Sequence, residues 1–193
     1  MYYLSEVSAV VRVMPKEITF EVDKVIEKRV REEYEGQISE KLGRVVLVTR
    51  VIDIGEGVVI YGDGAAYYKV IFECIHYQPE LQEIVFGKVS DIAEYGAFVD
   101  FGPFEGLVHI SQSMEDFVSY DKSGQLTGKE TKKSVKLKDK VRAKIIAISK
   151  KDATNPKIGL TMRQVGLGKP EWELLEVKKR VVLREEKVQK EKK

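Results

Sequence analysis

Tyr95, Phe98 and His109 stand close together in the sequence and offer flat side-chain faces of the kind an unpaired base stacks on. They belong to residues 86–111, FGKVSDIAEYGAFVDFGPFEGLVHIS, in which three short apolar runs are separated by glycine- and proline-bearing turns. In the middle run Ala97, Val99 and Phe101 share one parity, and Phe98 and Asp100 share the other. A strand with this alternation buries the first set and shows the second to solvent, so Phe98 reads as an exposed stacking ring rather than a core residue. In the third run Val108 and Ile110 point inward, which turns His109 outward. Further along, Arg142, Lys144, Lys157 and Arg163 supply positive charge at alternating strand positions. Two readings of this edge stay open, a track for phosphates or a solvated basic rim.

Other chemistries find little footing. The two histidines, His76 and His109, and the single cysteine, Cys74, are spread over two segments, and no zinc-type spacing exists. Asp91, Asp100, Asp116 and Asp121 do not form a recognisable carboxylate cluster, and no serine has a placeable histidine–acid pair. No metal, cofactor or catalytic residue is expected. The glycines of Gly55-Glu56-Gly57 and Gly62-Asp63-Gly64 lead into strands, not into a helix as a phosphate-binding loop requires, and read as hairpin turns.

The elements that position these residues follow from periodicity. Residues 3–13 alternate, with Tyr3, Val7, Ala9, Val11 and Val13 on the buried side. Pro15 then precedes an amphipathic helix carrying Val22, Val25, Ile26, Val30 and Tyr34 on one face, capped by Gly36. Residues 44–54 are continuously apolar in Val45-Val46-Leu47-Val48 and are expected to form a central strand. A short strand over 58–61 and another over 67–77 complete a β-α-β-β-β unit, with Tyr67 and Tyr68 on opposite faces, one for the core and one for a partner chain. Pro79 marks the joint to a second unit. There, residues 140–148 (Val141, Ala143, Ile145 and Ala147 inward) and 157–163 (Ile158, Leu160 and Met162 inward) add two strands to the three of 86–111. The polar insertion 114–136 either forms a hairpin, 117–120 against Leu126, or stays mobile. Its lysines, 129–140, read as solubility charge. Residues 170–193 read as a charged terminal helix anchored by Trp172.

The chain has 193 residues, 33% of them charged, with a formal net charge of only +2, so any affinity for nucleic acid resides in local patches. No apolar segment approaches the ~20 residues of a membrane span and no signal peptide is recognisable, which with the lone cysteine points to the cytoplasm. High Lys and Glu with little Cys and Met is the composition of heat-adapted proteins.

The segment Gly87-Lys88-Val89, Tyr95-Gly96-Ala97-Phe98-Val99, Gly106-Leu107-Val108-His109-Ile110-Ser111 resembles the RNA-binding OB domain of the ribosomal S-one type. The order of a small α+β unit, then such a barrel with an insertion after its third strand, resembles the archaeal RNA polymerase stalk subunits of the E-prime family, counterparts of the seventh subunit of eukaryotic RNA polymerase II. Gly43-Arg44-Val45, residues 52–57 and Gly62-Asp63-Gly64 match that family's first domain, and Val118-Ser119-Tyr120-Asp121 its insertion. The resemblance implies a truncated RNP-like α+β domain over 1–79, a five-stranded OB barrel over 80–165 and a C-terminal helical tail over 166–193. It further implies a non-catalytic role in transcription initiation and elongation, a heterodimer with the smaller F subunit of the polymerase, and RNA contacts at Tyr95, Phe98, His109 and Lys157. A tip at Gly55, Glu56, Gly57, Gly62, Asp63 and Gly64 would dock on the polymerase core. The alternative is an RNA-binding cap subunit of an exosome-like decay complex. Such caps usually add a KH module, and no G-x-x-G loop follows residue 165.

Overall fold

The computed structural model describes residues 1–18, 21–121, 124–149 and 156–172. It contains two compact units, one over Met1–Pro79 and the other beginning at Glu80.

In the first unit β1 (Tyr2–Val13) leads through a 3-10 turn, Pro15–Glu17, to α1 (Val22–Tyr34), followed by β2 (Ile38–Ser39), β3 (Gly43–Val59) and β4 (Ala66–Tyr77). The sheet order is β1-β4-β3-β2, with every neighbouring pair antiparallel. The odd residues of β1 turn inward as their alternation predicts, ending on fully buried Val11 and Val13; Tyr3 is the exception and lies exposed, stacked on the His76 ring. α1 lays Ile26 and Val30 on the same core, where Val45, Val48, Val70 and Phe72 meet them. The order β-α-β-β-β stands, but its second strand is the two-residue β2.

Two expectations for β3 are corrected. Gly55-Glu56-Gly57 is not a turn, and residues 58–61 are not a strand of their own: β3 runs through them as far as Val59. The glycines sit instead in an irregularity, because the pairing with β4 slips between Ile54 and Gly57. Nor does the apolar run bury both faces. The register shifts four times against β4, and each extra residue rotates the strand. Burial therefore recurs at Val45, Val48, Val51 and Ile54, while Val46 and Leu47 remain 43% and 46% exposed.

The second unit is a closed barrel of β5 (Ile84–Ala93), β6 (Gly96–Asp100), β7 (Glu105–His109), β11 (Lys140–Ser149) and β12 (Lys157–Thr161). Around the barrel the order is β5-β6-β7-β12-β11, with β7 and β12 parallel and the other pairs antiparallel. Val89, Ala97, Val99, Val108, Val141, Ala143, Ile145, Ile158, Leu160 and Met162 fill its interior, as the alternation predicts. Ala147 departs from it: a bulge between Ile145 and Ala147 leaves Ala147 and Ile146 facing out. The third run ends one residue early, since Ile110 opens the short helix α2 (Ile110–Ser113). No described helix is long and apolar enough to cross a membrane.

The insertion is ordered into a three-stranded sheet, β8 (Val118–Asp121), β9 (Gln125–Gly128) and β10 (Ser134–Lys136), one strand more than the hairpin expected. Leu126 and Val135 are its buried hydrophobic residues. Asp116 ties the turn between β9 and β10 to the start of β8, accepting from the Phe117, Glu130 and Thr131 amides at 2.6, 3.0 and 2.8 Å and from the Thr131 hydroxyl at 2.8 Å. These bonds, the Thr131 amide first among them, lower the carboxyl below its ordinary value. The order it confers is complete above the usual carboxylate pKa of ~4 and is lost as pH falls through the lower folded value. Amide exchange should show Glu130 and Thr131 losing protection only in that acid range, and already at neutral pH in Asp116→Ala. Protection unaltered in that variant would mean another group holds the turn.

After β12 the chain returns to the barrel. The amide of Arg142 donates to the Gly168 carbonyl at 2.8 Å and the Gly168 amide donates back at 2.7 Å, and Trp172 is buried. The helix expected over 170–193 lies, beyond Trp172, outside the described residues.

Candidate nucleic-acid interface

The β6–β7 hairpin builds the ring face. Gly96 opens β6 directly opposite His109, and Phe98 faces Leu107 across the pair. Ala97 and Val99 are fully buried, so Phe98 between them points outward, where it is half-buried by its neighbours. The Tyr95 ring, 53% exposed, meets it edge-on with centroids 6.1 Å apart and planes at 88°. Edge-to-face contact fixes both rings while leaving faces open. His109 is exposed, and its Nδ1 lies 2.8 Å from the Ser111 hydroxyl and accepts from the Ser111 amide at 3.3 Å, which holds the imidazole at the mouth of α2.

The row continues from Phe98 through Leu107 to Gly159, which is paired with Leu107 on the neighbouring strand. Leu107 and Gly159 thus add an apolar, flat floor that is invisible when only rings are sought in the sequence. The signal was present, because Leu107 shares the parity of His109. One row along, Asp100 pairs with Glu105, and Ser90 donates to Glu105 at 2.5 Å. Lys157 is exposed at the start of β12, one residue before Ile158, whose partner is Gly106. The floor is apolar and its rim carries both signs of charge.

The four basic residues do not form one track. Lys157 stands by the ring face. Arg142 is half-buried, donates to the Gly166 carbonyl at 2.9 Å and lies over the Phe86 ring at 5.3 Å. It fastens the segment after β12 to the barrel, which corrects its reading as a solvent-facing cation. Lys144 is half-buried near the Gln164 side chain, 3.5 Å away. Arg163 is exposed and lines a groove with α2 and the start of β8.

In the first unit, Gly62 and Gly64 have φ of +93° and +69° and make the β3–β4 turn. Asp63 between them accepts from Arg12 Nε at 3.0 Å and Nη2 at 2.6 Å and from the Tyr67 hydroxyl. The Arg12 guanidinium, aided by Tyr67, holds the Asp63 carboxyl at about 2. Tyr67 thus braces the turn, while Tyr68 packs against the core. With its charge taken up, the tip presents Val58, Val59, Ile60 and Tyr61, exposed by 61%, 65%, 51% and 105%. From the sequence these four apolar residues read only as a short strand. His76 is buried, with Nδ1 2.5 Å from the Leu42 carbonyl and Nε2 3.0 Å from the Ser5 hydroxyl, a satisfied core residue. Among the described residues no group of three or more His, Cys, Asp or Glu is placed to hold a metal.

The outward rings stand on a closed five-stranded barrel and the apolar hairpin on a helix-backed sheet, so the chain is a two-module protein. Residues 78–155 match the S1 RNA binding domain, and residues 8–64 match the SHS2 domain found in the N terminus of Rpb7p/Rpc25p/MJ0397. The chain is 40% identical over 174 residues to DNA-directed RNA polymerase subunit Rpo7 of Saccharolobus solfataricus, covering 89% of this chain and 97% of that protein. It is 39% identical over 173 residues to the Rpo7 subunit of Sulfolobus acidocaldarius, covering 89% and 94%. DNA-directed RNA polymerase II subunit RPB7 of Glycine max is 30% identical over 134 residues, covering 68% and 74%. The chain belongs to the Rpo7 family of non-catalytic DNA-directed RNA polymerase subunits.

Proposed function

We propose that the chain is a stalk subunit that docks on the polymerase core, pairs with the smaller F subunit and holds emerging single-stranded RNA during initiation and elongation. The observation that carries the RNA assignment is the pair of edge-to-face rings, Tyr95 and Phe98, on the outer wall of an S1-type barrel, with exposed His109 on the neighbouring strand. Each ring offers a face to any base, which suits a transcript of arbitrary sequence. Docking is supported by the apolar hairpin Val58 to Tyr61, four consecutive exposed apolar residues of the kind that mark protein-contact surfaces. Pairing with the F subunit is supported by the outward side of the first sheet, where Tyr2, Leu4, Val10, Leu47 and Ile52 are exposed.

Phe98→Ala tests the RNA assignment. Loss of one stacking contact should weaken binding of a short labelled oligouridylate by about 1–3 kcal/mol, read by fluorescence anisotropy, with the thermal unfolding midpoint nearly unmoved. Equal affinity for variant and parent would remove the ring face from the site.

A further inference from the structure

The insertion holds an aromatic ring that neither core nor fold requires. Phe117 is 72% exposed, yet its backbone is pinned on both sides: its amide donates to Asp116 at 2.6 Å and its carbonyl accepts from the Lys129 amide at 3.1 Å. The Lys129 ammonium lies 4.6 Å from the ring centroid. A ring covered on one side by a cation is oriented and electronically suited to stack on its other side. Phe117 also lines a groove of about 490 Å³, which it shares with Ile110, Ser111, Met114, Val118 and Arg163 and whose lining does not include Lys129. The volume is within the range of small-ligand sites, ~300–1,000 Å³.

Two observations say what the groove takes. Ser111, on its wall, is the residue bonded to His109, so the groove is continuous with the ring face. Arg163 opens into it with an exposed side chain whose guanidinium has no hydrogen-bond or ion-pair partner among the described residues. Of the two acids on the groove, Glu115 is exposed and Asp116 is spent on four internal bonds. A planar ring, an exposed guanidinium and an apolar floor beside a base-stacking face suit the next nucleotides of a single strand.

We propose that Phe117 is a further stacking ring and Arg163 its phosphate contact, extending the RNA path from His109 across α2 onto the insertion. This rests on the reading of the Phe98 face as RNA-binding. It also gives the insertion a task, to present a rigid platform at the end of the path.

The test uses the full chain and labelled oligouridylates of 4 and 12 nucleotides. Phe117→Ala should weaken the 12-mer about tenfold and leave the 4-mer unchanged, whereas Phe98→Ala should weaken both. Arg163→Gln should lower the salt dependence of 12-mer binding by about one phosphate contact. Phe117→Trp should keep the affinity, and its fluorescence should be quenched by the 12-mer and not by the 4-mer. If Phe98→Ala acts and Phe117→Ala leaves both lengths unchanged, the extension is wrong and the ring face stands. If neither variant acts at either length, both readings fall. Reduced association with polymerase at unchanged RNA affinity would make Phe117 a protein contact and overturn the proposal.

Discussion

Gly96→Ala should destabilise the barrel and abolish RNA binding together, although the change adds one methyl group. A Cβ built at Gly96 falls 2.2 Å from the Val108 carbonyl oxygen and 3.0 Å from the His109 Cα. Both are backbone atoms of the partner strand, and no rotamer change moves them. Gly96 is also where β6 begins and where the chain turns from Tyr95, whose carbonyl accepts from the Ile110 amide at 2.9 Å. Relief of the clash must therefore pull β6 from β7 and separate the Tyr95–Phe98 pair from His109. Backbone conflicts of this kind belong to the upper part of single-substitution effects, about 2–3 kcal/mol. Urea denaturation should show a lowered midpoint with an unchanged slope, and anisotropy should show short oligouridylates no longer bound at concentrations that saturate the parent. Glu94→Ala, one residue before Tyr95 and exposed, is the control and should leave both measurements unmoved. A Gly96→Ala protein with the parent's midpoint would mean that the hairpin does not pack as described.

Tyr61→Ala should reduce association with the core polymerase by at least tenfold while leaving the fold intact. The side chain is fully exposed at the end of the hairpin, so its removal takes nothing from the core. The turn that carries it is held elsewhere, by Arg12 and Tyr67 on Asp63. Tyrosines at the centre of an interface are frequent hot spots, each contributing about 2 kcal/mol or more when truncated. Quantitative assembly onto polymerase lacking this chain should therefore separate docking from stability. Arg12→Gln makes the complementary change, since it frees the Asp63 carboxylate and loosens the turn while keeping Tyr61. It should give a smaller defect than Tyr61→Ala. Unchanged assembly of the Tyr61→Ala protein would exclude the hairpin as the docking element.

Much of the barrel was legible because β6 and β7 alternate strictly and lie next to one another in sequence. Ala97, Phe98 and Val99 report their own orientation, and a ring between two buried residues of one strand has only one way to point. Where extra residues enter a strand, that rule fails. β3 shows it in Val46 and Leu47, exposed although they continue an apolar run, and β11 shows it in Ala147, turned out after the bulge at Ile146. The extra residues at Val46, Thr49, Ile52 and Ile146 carry no glycine or other mark that a single sequence displays. In the candidate site the placement of the rings was legible, and that of the cations less so. Arg142 and Lys157 look alike on their strands, yet the segment that returns after Arg163 covers the first and leaves the second in solvent. Asp116 was visible only as an acid without a metal partner; its task as the clasp of the insertion depends on amides fourteen and fifteen residues away, which nothing local announces.

The barrel closes on itself, but the first sheet does not. β1, twelve residues long, pairs with β4 along one side and with no described strand along the other, and exposed Tyr2, Leu4 and Val10 line its outward face. A long, apolar border strand is a template for adding another chain, and left bare it invites self-association. The first unit is therefore the one whose solubility should depend on company, and the chain made alone should be the more prone to aggregate the longer its border waits.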